Sequence, residues 1–177
     1  SYSHIEGSGK CYGYYLTKIK GNTNDKSITA SIAYLELTYN DGNGLISANN
    51  IIPGENITTK TFSVENTGNK KVVNYVVYLE DVINTFEDKN DLKLTLNCTS
   101  SINNSCGEIN TIYPDKDTLL VLNDIEVGEI QTYELKVDFI ETYDDQSDNM
   151  NKIIEGNIVI KDIKDIKETV SGTDNVM

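Results

Sequence analysis

The stretch Asn56-Ile-Thr-Thr-Lys-Thr-Phe-Ser-Val-Glu-Asn-Thr-Gly-Asn69 decides the fold. Its apolar positions are Ile57, Phe62 and Val64, set among Thr and Ser, with Pro53-Gly54 before it and the turn Asn66-Thr-Gly68 closing it. That is the pattern of a strand between turns, with one face on a core and one in water. Val72 to Leu79 follows as Val-Val-Asn-Tyr-Val-Val-Tyr-Leu, dense in the branched and aromatic side chains that suit a pleated surface. Further along, Tyr133, Leu135, Val137 and Phe139 alternate with Thr132, Glu134, Lys136 and Asp138, so the two sets face opposite ways.

Strands are predicted at 11–20, 28–39, 57–65, 72–83, 92–98, 118–122, 130–141 and 153–160. Turn signals separate them, at Asp41-Gly-Asn-Gly44, Val127-Gly128 and the polar stretch 144–151. A single helical turn is expected within 82–90. Many short strands with this punctuation predict an all-β fold, an antiparallel β-sandwich of jelly-roll or immunoglobulin-like type. The expected division is an N-terminal arm at 1–20, a sandwich at 21–163 and a polar tail at 164–177.

Composition narrows the function classes. The net charge is −13, and all fifteen basic residues are Lys. Nucleic acid and anionic membrane surfaces both call for clustered positive charge, so neither is an expected partner. No apolar run approaches the roughly 20 residues that a spanning helix needs. Eleven Tyr against three Phe and no Trp put most of the aromatic mass on residues suited to half-buried strands.

Four segments together resemble the TasA/camelysin-like family of secreted Gram-positive surface and biofilm-matrix proteins, and in particular relatives from gut Firmicutes. They are Tyr14-Tyr-Leu-Thr-Lys-Ile-Lys-Gly-Asn22, Leu37-Thr-Tyr-Asn-Asp-Gly-Asn-Gly44, Ile52 through Gly68, and Gly128 through Thr142 followed by Gly156-Asn-Ile-Val-Ile160. The resemblance implies an exported structural subunit of an extracellular fibre or matrix. Its partners would be copies of itself, joined head to tail, and other matrix or cell-surface components. It also implies that an N-terminal segment is donated as a strand to a neighbouring subunit, where backbone hydrogen bonds supply affinity and alternate side chains fill pockets. The matching residues are Cys11, Tyr12, Tyr14, Tyr15, Leu16 and Ile19. Their pattern fits equally the first strand of the chain's own sheet. The alternative function is a monomeric cell-surface adhesin that binds through loops at one end of the sandwich.

In an exported chain, Cys98 and Cys106, separated by small turn-forming residues, are expected to close a disulfide. Cys11 is then odd; it is an unpaired strand residue, a link between subunits, or a competitor for one of the other two thiols. Glu141, Asp144, Asp145 and Asp148 crowd one loop and make calcium the one candidate cofactor, against the plainer reading of a solvated acidic loop. A metallopeptidase-like hydrolase ranks last, because His4 is the only imidazole for a zinc or a nucleophile and no His-Glu-x-x-His is present. The chain is therefore expected not to be an enzyme.

Overall fold

The computed structural model describes residues 2–5, 10–15, 33–163 and 166, the first two stretches by backbone alone. The strands are β1 (Tyr2–Ile5), β2 (Lys10–Tyr15), β3 (Ala33–Tyr39), β4 (Leu45–Ala48), β5 (Asn56–Asn66), β6 (Val72–Asn84), β7 (Leu92–Ser100), β8 (Asn104–Ile112), β9 (Thr118–Ile125), β10 (Ile130–Phe139) and β11 (Ile154–Lys161). One sheet runs β1-β2-β3-β5-β10-β7-β8 and the other β4-β11-β6-β9, with every pairing antiparallel. From β3 to β7 successive strands switch sheets at each connection.

Strand periodicity builds the core. β10 presents Gln131, Tyr133, Leu135, Val137 and Phe139 inward, as the alternation predicted, with Gln131 added to the buried set. Leu35, Leu37 and Tyr39 of β3 do the same, as do Phe62 and Val64 of β5 and Leu92, Leu94 and Leu96 of β7. Facing them from the second sheet are Ile46, Tyr75, Val77, Leu79, Ile154 and Ile158. Phe62 stacks on Tyr133 at 5.0 Å, and Phe86 meets Phe139 edge-on at the same distance, geometries that aromatic quadrupoles favour.

The turn signals acquire specific causes. The buried Asn66 accepts from the Gly68 N–H at 2.9 Å, an Asx turn, and its amide donates to the carbonyls of Lys70 and Ile125. Gly44 packs against β11, where a Cβ would lie 2.5 Å from the Ile158 carbonyl oxygen and 2.8 Å from the Tyr39 ring. Asn74 and Asp81 of β6 adopt φ of 60° and 57° where the ladder slips register. Near these bulges, backbone N–H groups find carboxylates instead: Asn74 N–H donates to Asp124 and Val82 N–H to Asp117.

Three differences from the sequence reading stand out. The expected helical turn falls at Lys89–Asp91, and β6 extends through Asn84. The segment read as the loop between the two cysteines opens into β8, an edge strand. β4 is a further short edge strand within what read as turn and linker.

Candidate functional site: the open side of the sandwich

The two sheets part along the side where β8 ends one and β9 ends the other. Leu96, Ile109, Leu120, Leu122 and Tyr133 line a cleft there of about 230 Å³, with Cys98 and Cys106 in its wall. The cleft runs into a polar depression through Cys106, Leu122 and Asn123, which line both, and the depression adds Asp124, Glu126, Glu129 and Gln131. Cys98 and Cys106 form the disulfide expected of them, with Cα atoms 4.9 Å apart, joining β7 to β8 beside a register shift.

Beneath the cleft lies a buried chain of hydrogen bonds. Asn123 Nδ2 donates to Tyr133 Oη at 2.7 Å, and the Tyr133 and Tyr75 hydroxyls meet at 2.6 Å. Tyr75 Oη donates its single proton to Gln131 Oε1 at 2.5 Å, so Tyr133 must donate to Tyr75. Gln131 Nε2 in turn donates to Glu129 Oε2 at 2.9 Å and to the Asp124 carbonyl at 3.0 Å. Ser100 Oγ and the Glu126 N–H complete the shell around the Glu129 carboxylate at 2.6 and 2.9 Å. From Asn123 through Tyr133, Tyr75 and Gln131 the donors run toward that carboxylate, an arrangement in which each bond polarises the next.

Charge states follow. Burial works against the ionised form of Glu129, but the hydrogen bonds from Ser100, the Glu126 N–H and Gln131, with Lys71 nearby, outweigh it and hold the carboxyl below its ordinary pKa. Burial pushes the Tyr75 and Tyr133 phenols up, so both stay neutral. Near neutral pH the chain thus holds one fixed negative charge and two fixed phenols beside the cleft.

The sequence-predicted residues fall elsewhere. Cys11 to Tyr15 lie in β2, antiparallel to β3 of the same chain, with Cys11 opposite Leu37, Tyr12 opposite Glu36, Tyr14 opposite Tyr34 and Tyr15 opposite Ala33. Leu16 and Ile19 lie outside the described residues. Glu141, Asp144, Asp145 and Asp148 are all exposed. Glu141 accepts from the Tyr143 N–H, and Asp145 from both the backbone and hydroxyl of Ser147. Among the described residues no three His, Cys, Asp or Glu converge as metal ligands.

What the acidic loop does contain is a different buried set. Gln146 and Asn149 donate to Asp91 at 2.8 and 3.1 Å, and Asn149 Oδ1 accepts from the N–H groups of Glu87 and Asp88. The loop so fixed displays Tyr143, 90% exposed and in the left-handed region at φ 67°.

Sequence reasoning missed the Tyr75–Tyr133–Gln131–Glu129 chain. Its signal was Gln131, a polar residue in register with the inward face of β10.

No protein-family model matches the chain, and no curated protein matches it. Among solved structures it is similar to TmCBM61 in complex with beta-1,4-galactotriose, at 11% identity over 72% of this chain and 87% of that one, TM-score 0.32. It is also similar to the enzymatically active domain of tailspike protein 4 of bacteriophage CBA120, at 8% identity over 88% of this chain and 20% of that one, TM-score 0.30. At these scores neither bears on function, and the architecture rests on strand order and register. No helix among the described residues is long and apolar enough to cross a membrane.

Proposed function

We propose that the chain is a secreted structural subunit of an extracellular fibre or matrix, related to the TasA/camelysin-like proteins, that assembles by exchanging its N-terminal strand. The observation that carries this reading is the register of β2 on β3, Lys10 opposite Thr38 through Tyr15 opposite Ala33. β2 sits on the β3 side of the large sheet, away from β8, and residues 16–32 separate it from β3. At ~3.3 Å per residue that connection can reach roughly 55 Å when extended. The same pairing can therefore form within a chain or between chains, and a swap of identical elements needs no new contacts. Repeated head to tail, it does not close and grows a filament. The acceptor edge is then Ala33–Tyr39, whose inward residues Leu35 and Leu37 are fully buried.

Negative-stain electron microscopy of the full chain beside a form lacking residues 1–20 tests this. Filaments from the first and folded monomers from the second are expected. Folded monomers from both at high concentration overturn it.

One observation favours a second reading, a surface binding module. Tyr143 is displayed on a loop locked by Gln146 and Asn149. Saturable ligand binding that survives removal of residues 1–20 and is lost in Tyr143→Ala would favour that reading over assembly.

A further inference from the structure

We propose that the open edge of β9 and the cleft beside it receive an extended segment of another protein, apolar at alternate positions and bearing a Lys or Arg at one end. The inference is independent of strand exchange at β3, which involves the other side of the molecule.

The first support is the edge itself. β9 pairs with β6 and has no strand on its other side among the described residues. Its centre is Leu119-Leu-Val-Leu122, without the charge or proline by which exposed edges are usually kept from pairing. The register shift opposite Val77 and Tyr78 sets Leu120 into the cleft wall, while Leu122 stays 43% exposed. An added strand would satisfy the free backbone groups of β9, and its alternate side chains would enter a space already walled by Leu96, Ile109 and Leu120.

The second support is charge. The cleft continues into the depression that holds Asp124, Glu126 and Glu129. Lys71 is the cation that answers them, 3.1 Å from Glu126 and 4.0 Å from Asp124. Among the described residues, three carboxylates against one ammonium leave a negative field at the end of an apolar groove, which selects a basic side chain at that end of the incoming strand. The same field opposes a second copy, because the chain carries −13 overall, Asp117 directly precedes β9 and Asp124 lies near its end.

The test uses the full chain and two fluorescein-labelled peptides, Lys-Thr-Val-Thr-Val-Thr-Lys and the same sequence with Glu at both ends, read by anisotropy. The Lys peptide should bind saturably and about tenfold more tightly than the Glu peptide at low salt, the gap narrowing as salt rises. Leu122→Lys, at an exposed edge position, should weaken the Lys peptide about fivefold or more. Glu126→Lys, at an exposed depression position, should narrow the gap between the two peptides. Four results overturn the proposal: no saturable binding, equal binding of both peptides, binding indifferent to both substitutions, or peptide-free self-association abolished by Leu122→Lys, which assigns the edge to a second copy.

Discussion

Replacing Tyr75 by Phe tests whether the buried polar chain stabilises the sandwich as a connected unit. Tyr75 is fully buried, and its hydroxyl both donates to Gln131 Oε1 and accepts from Tyr133. Phe keeps the ring and removes only that oxygen. Two groups then lose a partner, the Tyr133 proton and one Gln131 lone pair. Leaving a buried polar group unsatisfied costs about 1–3 kcal/mol, and removing the Tyr75 hydroxyl returns part of its own desolvation, so the net loss should be about 2–4 kcal/mol. With an urea m-value of about 2 kcal/mol/M, the midpoint falls by about 1–2 M at unchanged m. Tyr133→Phe should cost less, about 1–2 kcal/mol, because Asn123 keeps the Cys106 carbonyl as an acceptor. The double variant removes the orphan that the first substitution created. Its cost should fall short of the sum by about 1–2 kcal/mol. The assay is urea unfolding with the disulfide intact. A Tyr75→Phe loss within about 0.5 kcal/mol, or additive single costs, would refute the idea of a connected chain.

Other predictions rest on separate features. Tyr75, Tyr113 and Tyr133 have folded-state pKa values raised by burial above the ordinary phenol value of about 10, so the stability they confer is intact below pH 10 and is lost as pH rises beyond it. Urea titrations between pH 9 and 12 should show stability level to about pH 10 and then falling, by up to about 1.4 kcal/mol per pH unit for each such tyrosine. Glu129 has the opposite sign: its lowered pKa adds stability above its unfolded value, lost as pH falls, and Glu129→Gln should flatten that part of the acid limb. Reduction of Cys98–Cys106, which lie 8 residues apart, should cost about 2–3 kcal/mol in the same assay. Gly44→Ala should cost about 1–3 kcal/mol, because its Cβ would press on the Ile158 backbone, which cannot yield as a side-chain tip would.

How much of this was legible depended on how each strand meets water. β10 and β5 are buried on one face only, so alternation marked both their register and their inward residues. β8 escaped because it is an edge strand, with only Cys106 and Ile109 partly covered and no apolar period to show. The Asn66 turn was read correctly as a turn, but composition could not reveal that its side chain is buried and ties β5 to the Ile125 carbonyl. The site was harder. Its members come from the β6, β7, β9 and β10 segments, with Tyr75 and Gln131 lying 56 positions apart, and a long-range hydrogen bond leaves no local pattern. The acidic loop shows the converse. Density of carboxylates in sequence suggested convergence, yet Glu141 and Asp145 are used in their own turns.

The central claim is that β2 of one chain can occupy the β3 edge of another. Tyr12 and Glu36 stand directly opposite each other in that pairing, close enough across an antiparallel ladder for a disulfide. The most direct measurement mixes two chains in a Cys11→Ser background, one carrying Tyr12→Cys and the other Glu36→Cys, under mild oxidation at assembling concentration. The account predicts a covalent dimer that requires both chains, seen on a non-reducing gel. If the mixture stays monomeric while a single chain carrying both substitutions closes its own link, the strand belongs to its own sheet and assembly by exchange is contradicted.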